Sequence, residues 1–177
     1  MSDVLGTVIT PTAPRSAAGI AAFRDQAALR AALQTNFGVA PPTTPSFVQI
    51  GTVTLSCLAP TRYYVTGPRD AGLPGLLAKS LSGLAAITDQ SDLLTSFTLT
   101  GPETRETLAR IVPVDLTPAK FPIGALALTR AGHLDVRLWR MAELTYELAV
   151  TRSCANDLRH ALGIGDGLRR AAHPTTP

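Results

Sequence analysis

A chain of 177 residues, 45% of them apolar, carries enough apolar material for a sizeable core in one domain or two small fused halves. Its longest uncharged apolar stretches fall well short of the roughly 18 residues that span a bilayer, and no basic segment followed by an apolar run opens it. A soluble, cytoplasmic protein without a membrane partner is therefore expected. The net charge is only +3 behind a pI of 9.2, and the basic residues are scattered from Arg15 to Arg170 with only Arg169 and Arg170 adjacent, which argues against a nucleic-acid partner.

Residues 1–16 are rich in Thr, Pro and Ala without periodicity and are expected to form a flexible arm, as are residues 168–177 at the other end. The folded body is expected over residues 17–167. Within it, Ala17–Phe23 reads as a strand, followed by a helix from the N-cap Asp25 to about Phe37, with Leu29, Ala32 and Leu33 as its apolar stripe and Gly38 as its stop. Pro41, Pro42 and Pro45 enforce a loop. Phe47–Ile50, Thr52–Leu58 and Thr61–Thr66 read as strands; Val53, Leu55 and Cys57 alternate with Thr52, Thr54 and Ser56, which predicts one buried and one polar face. A second helix entered through Gly72-Leu73-Pro74 carries Leu76, Leu77 and Leu81–Leu84, and leads into the short strand Ala85–Thr88.

The same order then recurs. Leu93–Thr100 alternates as a strand, Gly101-Pro102-Glu103 opens a helix with Pro at its first position, and Pro113 ends it. Gly124–Thr129, His133–Arg140 and Leu144–Val150 follow as strands joined by tight turns, and a last helix is capped by Ser153 and closed by Gly163. Gly51-x-Val53-x-Leu55 with Tyr63-Tyr64 downstream matches Gly132-x-Leu134-x-Val136 with Tyr146 downstream, an offset of roughly 80 residues. The expected fold is α+β, with two ferredoxin-like β-α-β-β-β-α halves (about 17–90 and 91–167) and helices packed on antiparallel sheets.

Chemistry is harder to find. Cys154 in the first turn of the last helix, with Asp157 and His160, is the one nucleophile candidate. Six residues along a helix place Cys154 and His160 about 120° apart, so they cannot pair within it, and a capped surface helix is the favoured reading. Cys57 and Cys154 are expected as two reduced thiols, since two cysteines make neither a disulfide framework nor a four-ligand zinc site. His133 and His173 stand alone, without metal spacing. Asp89, Gln90, Ser91 and Asp92 read as a turn whose side chains satisfy backbone donors, with a partner-orienting role as the minority alternative. Gly163-Ile-Gly165-Asp-Gly167 follows a helix, where a dinucleotide loop must open one, and reads as a helix stop. No catalytic, cofactor-binding or metal-binding residue is therefore assigned. Trp139 alternates with Leu134, Val136 and Leu138; together with Arg137 and Asp135 it is either an exposed interface anchor or part of a second face covered by a helix of this chain, and the two readings weigh equally.

One line of sequence is recognisable. Ala86-Ile-Thr-Asp89-Gln-Ser91-Asp92, Phe97-Thr-Leu99-Thr-Gly101-Pro102-Glu103, Val114-Asp115-Leu116-Thr-Pro118, Phe121-Pro122-Ile-Gly124 and Tyr146-Glu-Leu148-Ala-Val150-Thr-Arg152-Ser153 resemble the gamma-subunit family of heterotetrameric sarcosine oxidases, which is similar in fold to part of the folate-dependent aminomethyltransferases of glycine cleavage. The resemblance implies a complex with alpha, beta and delta subunits that oxidatively demethylates sarcosine to glycine, reducing oxygen to peroxide and passing the one-carbon unit to tetrahydrofolate or releasing it as formaldehyde. It also implies that FAD, FMN, NAD, zinc and tetrahydrofolate belong to the partner subunits and that this chain supplies no cofactor site and no catalytic residue. Related complexes act on other N-methyl or cyclic amino acids. A free-standing folate-binding protein of the same fold and an adaptor without an enzyme partner are the rivals; the Lys-Gly-Cys-Tyr-x-Gly-Gln signature of one folate-binding branch is absent.

Overall fold

The computed structural model describes residues 2–4 and 6–163. The chain enters through β1 (Ser2–Val4) and β2 (Thr7–Pro11), which pair with each other, so the N-terminal segment expected to be a flexible arm is built into a sheet. Thr-Val-Ile-Thr supplies β-branched residues that fit a pleated surface, and Ile9 is 1% exposed. From there β3 (Ser16–Ala22) leads to α1 (Gln26–Phe37). Asp25 accepts the Ala28 amide at 2.8 Å as its N-cap, and Gly38 closes it in the left-handed conformation at φ 71°. Strands β4 (Ser46–Ile50), β5 (Val53–Ala59) and β6 (Arg62–Gly67) form a meander, and α2 (Leu73–Ser80) returns the chain to β7 (Ala85–Asp89). Leu81–Leu84, expected as the end of that helix, form the turn behind it, with Leu81 plugged into the core at 0% exposure.

The second half repeats the plan with shorter helices. After β8 (Leu94–Thr100) comes α3 (Thr104–Ala109), then β9 (Leu126–Ala131), β10 (Leu134–Ala142), β11 (Thr145–Thr151) and α4 (Ala155–Ala161). Pro102 lies ahead of α3 rather than in its first turn, and the helix stops at Ala109, well before Pro113. Ser153 does not cap α4: a 3-10 turn over Arg152–Cys154 intervenes, and Cys154 is the N-cap without a side-chain bond. At the entry to α3, Gly101 has φ 142° and its Cα packs on the Gly6 backbone, a place only glycine fits.

Two antiparallel sheets result, in the orders β4-β5-β6-β3-β7 and β1-β2-β8-β11-β10-β9. The fold is α+β with two ferredoxin-like halves. Strands β4, β5, β6 and β3 correspond to β9, β10, β11 and β8; the place of β7 in the first sheet is filled in the second by β2, from the opposite end of the chain. A backbone bulge falls between Cys57 and Ala59 in one hairpin and between Arg140 and Ala142 in the other, the same point of both.

Each sheet covers its outer face with its own elements. Leu29 and Leu33 of α1 and Leu73 and Leu77 of α2 pack on Ala18, Ile20, Leu55, Cys57, Tyr63 and Val65. Leu108 of α3, Leu158 and Leu162 around α4, and Val112, Leu116 and Phe121 of the α3–β9 connection pack on Phe97, Leu99, Leu138 and Leu148. Each such aliphatic side chain contributes about 1.5–3 kcal/mol by leaving water. The inner faces meet each other, giving helix, sheet, sheet, helix layers. The polar face of β5 is therefore inside: Thr54 and Ser56 are 8% and 1% exposed.

Candidate functional site

The inner faces are where polar side chains collect, and the strand registers dictate which ones meet. In the first sheet, Phe47, Ser56, Tyr64 and Gly19 form one row across β4, β5, β6 and β3. In the second, the corresponding row is Leu126, Trp139, Glu147 and Thr98. The rows cross at their equivalent residues: the indole Nε1 of Trp139 donates to Ser56 Oγ at 3.1 Å, and the Tyr64 and Trp139 ring centroids lie 6.4 Å apart. Phe47, Leu126, Ala17 and Ala149 complete this small apolar centre. Glu147, 6% exposed, accepts from Arg15 in an ion pair that ties the β2–β3 connection to β11. The Arg137 guanidinium stacks 4.4 Å over the Tyr64 ring. Burial raises the Tyr64 hydroxyl pKa and lowers that of Arg137. Trp139 is thus neither an exposed anchor nor covered by a helix: at 5% exposure it is buried by the other sheet of the same chain.

Beside this seam opens a cleft of about 570 Å³ lined by Thr12–Arg15, Tyr64, Thr66, Arg69, Gln90–Asp92, Thr95, Ser96 and Arg152. Its charges are organised around Asp92. Arg69 donates from both terminal nitrogens to the two Asp92 oxygens at 3.1 Å each, and Arg152 donates to Oδ1 at 3.2 Å. Arg69 sits in the 3-10 turn after β6, and Arg152 in the 3-10 turn after β11. Equivalent arginines of the two halves therefore converge on one carboxylate, itself carried by the connection between the halves. Hydrogen bonds and the charge of Arg69 hold Asp92 below the usual carboxylate range; hydrogen bonds from the Ser91 hydroxyl and amide do the same for Asp89. Ser91 Oγ also receives the Ala17 amide at 3.0 Å, so the 89–92 turn satisfies backbone donors as its composition predicts.

Most of the charged side chains of the cleft are bonded to one another or to Glu147 at its edge. Arg69 and Arg152 share the Asp92 carboxylate, and Arg15 pairs with Glu147. The other candidates lie apart. Cys154 is partly buried beside Ser153, with Oγ to Sγ 3.8 Å, while His160 is exposed on α4, and no hydrogen bond joins them. Cys57 is fully buried and its thiol pKa is pushed up by desolvation. His133 is exposed at a turn. Among the described residues, no three His, Cys, Asp or Glu side chains gather in a metal-holding group, and no helix is long and apolar enough to cross a membrane. His173, Arg169, Arg170, Gly165, Gly167 and the 168–177 tail lie outside the described residues.

Sequence reasoning missed the Asp92 junction, although a signal exists: Tyr63 and Arg69, and Tyr146 and Arg152, recur at one spacing in the two halves. It also missed Arg140, which is 4% exposed on the outer face of β10 and donates to the Phe121 and Glu143 carbonyls at 2.8 and 3.0 Å.

Comparison with known proteins places this geometry. The model of the sarcosine oxidase, gamma subunit family matches residues 21–163. Among curated proteins no sequence matches. A chain of the heterotetrameric sarcosine oxidase from Corynebacterium sp. U-96, solved in complex with pyrrole 2-carboxylate, is similar at 21% identity and a TM-score of 0.81, over 97% of this chain and 88% of that one. The glycine cleavage system aminomethyltransferase T from Bartonella henselae is similar at 15% identity and a TM-score of 0.69, over 92% of this chain and 46% of that one. At these identities the likeness to both is one of fold.

Proposed function

The chain belongs to the sarcosine oxidase, gamma subunit family, and from that membership we propose that it is the non-catalytic, structural gamma subunit of a heterotetrameric flavin- and folate-dependent sarcosine oxidase. The family match across residues 21–163 carries the reading. In it, alpha, beta and delta subunits hold FAD, FMN, NAD, zinc and tetrahydrofolate, and the assembly demethylates sarcosine to glycine. This chain braces them. The pairing of its cleft charges supports that role, since a bracing subunit needs its halves held to each other. A composition of only 16% charged residues, against about 25% in ordinary domains, supports an extensive covered surface. A related complex acting on another N-methyl or cyclic amino acid is the alternative reading of the same family membership.

The test is co-expression of this chain with candidate flavoprotein partner subunits, followed by affinity capture, mass spectrometry and a peroxide assay with sarcosine. Recovery of flavin-bearing partners in fixed stoichiometry, with sarcosine-dependent peroxide, supports the proposal. Purification of the chain without partners, or with a flavin of its own, overturns it.

A further inference from the structure

The inner face of the second sheet is longer than the first sheet that covers it. Register carries that face from the Trp139 row to a second row, Leu128, Arg137, Ala149 and Ser96, and then to Arg130, Asp135, Thr151 and Leu94. Cover ends with Tyr64. Beyond it lies a groove of about 420 Å³, floored by β9–β11 and edged by Leu93 and Leu128, which are 43% and 53% exposed.

One feature of this groove is electrostatic. Four ion pairs exist among the described residues, and Arg137 is in none of them; its Nη1 is buried without a hydrogen-bond partner among those residues, and its guanidinium stacks on the Tyr64 ring. The carboxylates that share its face of the sheet pair with other arginines, Glu147 with Arg15 and Asp135 with Arg130 at 3.5 Å. A half-buried guanidinium stays charged at neutral pH, and leaving it uncompensated is costly. Its natural complement is a carboxylate, delivered between apolar neighbours that cover Leu93 and Leu128.

We infer that this groove is the docking site for a segment of a partner subunit that presents an Asp or Glu side chain to Arg137 and apolar side chains to Leu93 and Leu128. The inference rests on the gamma-subunit reading and names the surface it uses. It also assigns Arg137 and Trp139, neighbours on one strand face, to different tasks: Trp139 joins the two sheets of this chain, and Arg137 joins this chain to another.

The test uses the co-expressed complex with the affinity tag on a partner subunit, and measures how much of this chain is retained after washing. Leu128→Asp and Arg137→Met should each lower retention about tenfold or more, as expected for a central interface contact. Leu76→Asp, at a residue 59% exposed on α2 and outside the groove, should leave it unchanged. Arg137→Met keeps the aliphatic packing against Tyr64; if it nevertheless unfolds the chain, Leu128→Asp decides alone, because an exposed leucine is not needed for folding. A photo-crosslinking residue at position 128 should attach to a partner peptide containing Asp or Glu. Normal retention of Leu128→Asp, or cross-links only within this chain, overturns the groove while leaving the subunit reading standing. Failure of the wild-type chain to be retained overturns both.

Discussion

The two halves share a plan down to single positions and differ in how they close it. Tyr63 and Tyr146 are both buried on the outer face at 1% and 0% exposure, both with the hydroxyl unpartnered among the described residues, and the bulges and the trailing arginines recur. The lids diverge. The first half is covered mainly by helices of 12 and 8 residues; the second has helices of 6 and 7 and relies on the irregular segment that brings in Val112, Leu116 and Phe121. That segment leaves carbonyls without helical partners, and Arg140 satisfies one of them at Phe121, from the register position that Cys57 holds in the first half. A sheet of one plan can therefore exchange a helical lid for a loop, provided a buried donor replaces the lost backbone bonds.

The asymmetry in strand origin gives the largest expected effect. Deleting residues 1–11 removes β2 and Ile9, and exposes the edge of β8 where the first sheet keeps β7. An open, apolar sheet edge is a template for association. The truncated chain should aggregate on expression, read by size-exclusion chromatography and light scattering. A monodisperse product would show that the second sheet is complete without its borrowed strand.

Next comes the seam that both halves share. Trp139→Ala should cost about 3–5 kcal/mol, measured by urea denaturation of the full chain, because a large buried ring leaves a cavity. Trp139→Phe keeps most of the volume, strands the Ser56 hydroxyl and should cost about 1 kcal/mol. If both variants match wild type, the sheets are held together elsewhere.

Much of this architecture was legible because local signals agreed with it. Asp25 and Gly38 mark the ends of α1 since a cap and a left-handed stop act within one turn. The alternation of β5 correctly distinguished two faces. It could not say what covers the polar one, because Thr54 and Ser56 are compatible with either water or a second polar sheet, and Trp139 on the other sheet is needed to decide. Residues 7–11 were illegible for a related reason: so short a strand has no periodicity to show, and its partner β8 lies about half the chain away. The Asp92 junction depends on three segments far apart in sequence.

Smaller effects sharpen the difference between the lids. Arg140→Met should cost about 3 kcal/mol by leaving the Phe121 carbonyl buried and unpaired, whereas Cys57→Ala, at the corresponding position, should cost about 1 kcal/mol for lost packing alone. Equal costs would mean that the α3–β9 segment holds itself. Labelling with a neutral-pH thiol reagent gives a companion readout. Cys154, partly exposed, should react in the folded chain, and Cys57, buried with a raised pKa, should react only on unfolding.

The smallest effect tests whether the halves are coupled through charge. Asp92 has a folded-state pKa lowered first by hydrogen bonds from Arg69, then by the charges of Arg69 and Arg152. A group with a depressed folded pKa contributes stability above its unfolded value, about pH 4, and that contribution is lost as pH falls through the folded one. Asp92→Asn should therefore lower the urea midpoint slightly at pH 7, and the gap from wild type should close as pH drops below about 4. High salt should narrow it too, since all three side chains are exposed and screened. Asp89, lowered first by hydrogen bonds from Ser91 and raised by the Asp92 charge, keeps its Ser91 bonds in the variant, so the acid dependence it contributes remains in both proteins. A gap that persists at low pH would mean that Asp92 positions the connection between the halves by geometry, with its charge incidental; a gap that closes in step with protonation identifies the equivalent arginines as an ionic clasp across the pseudo-symmetric pair.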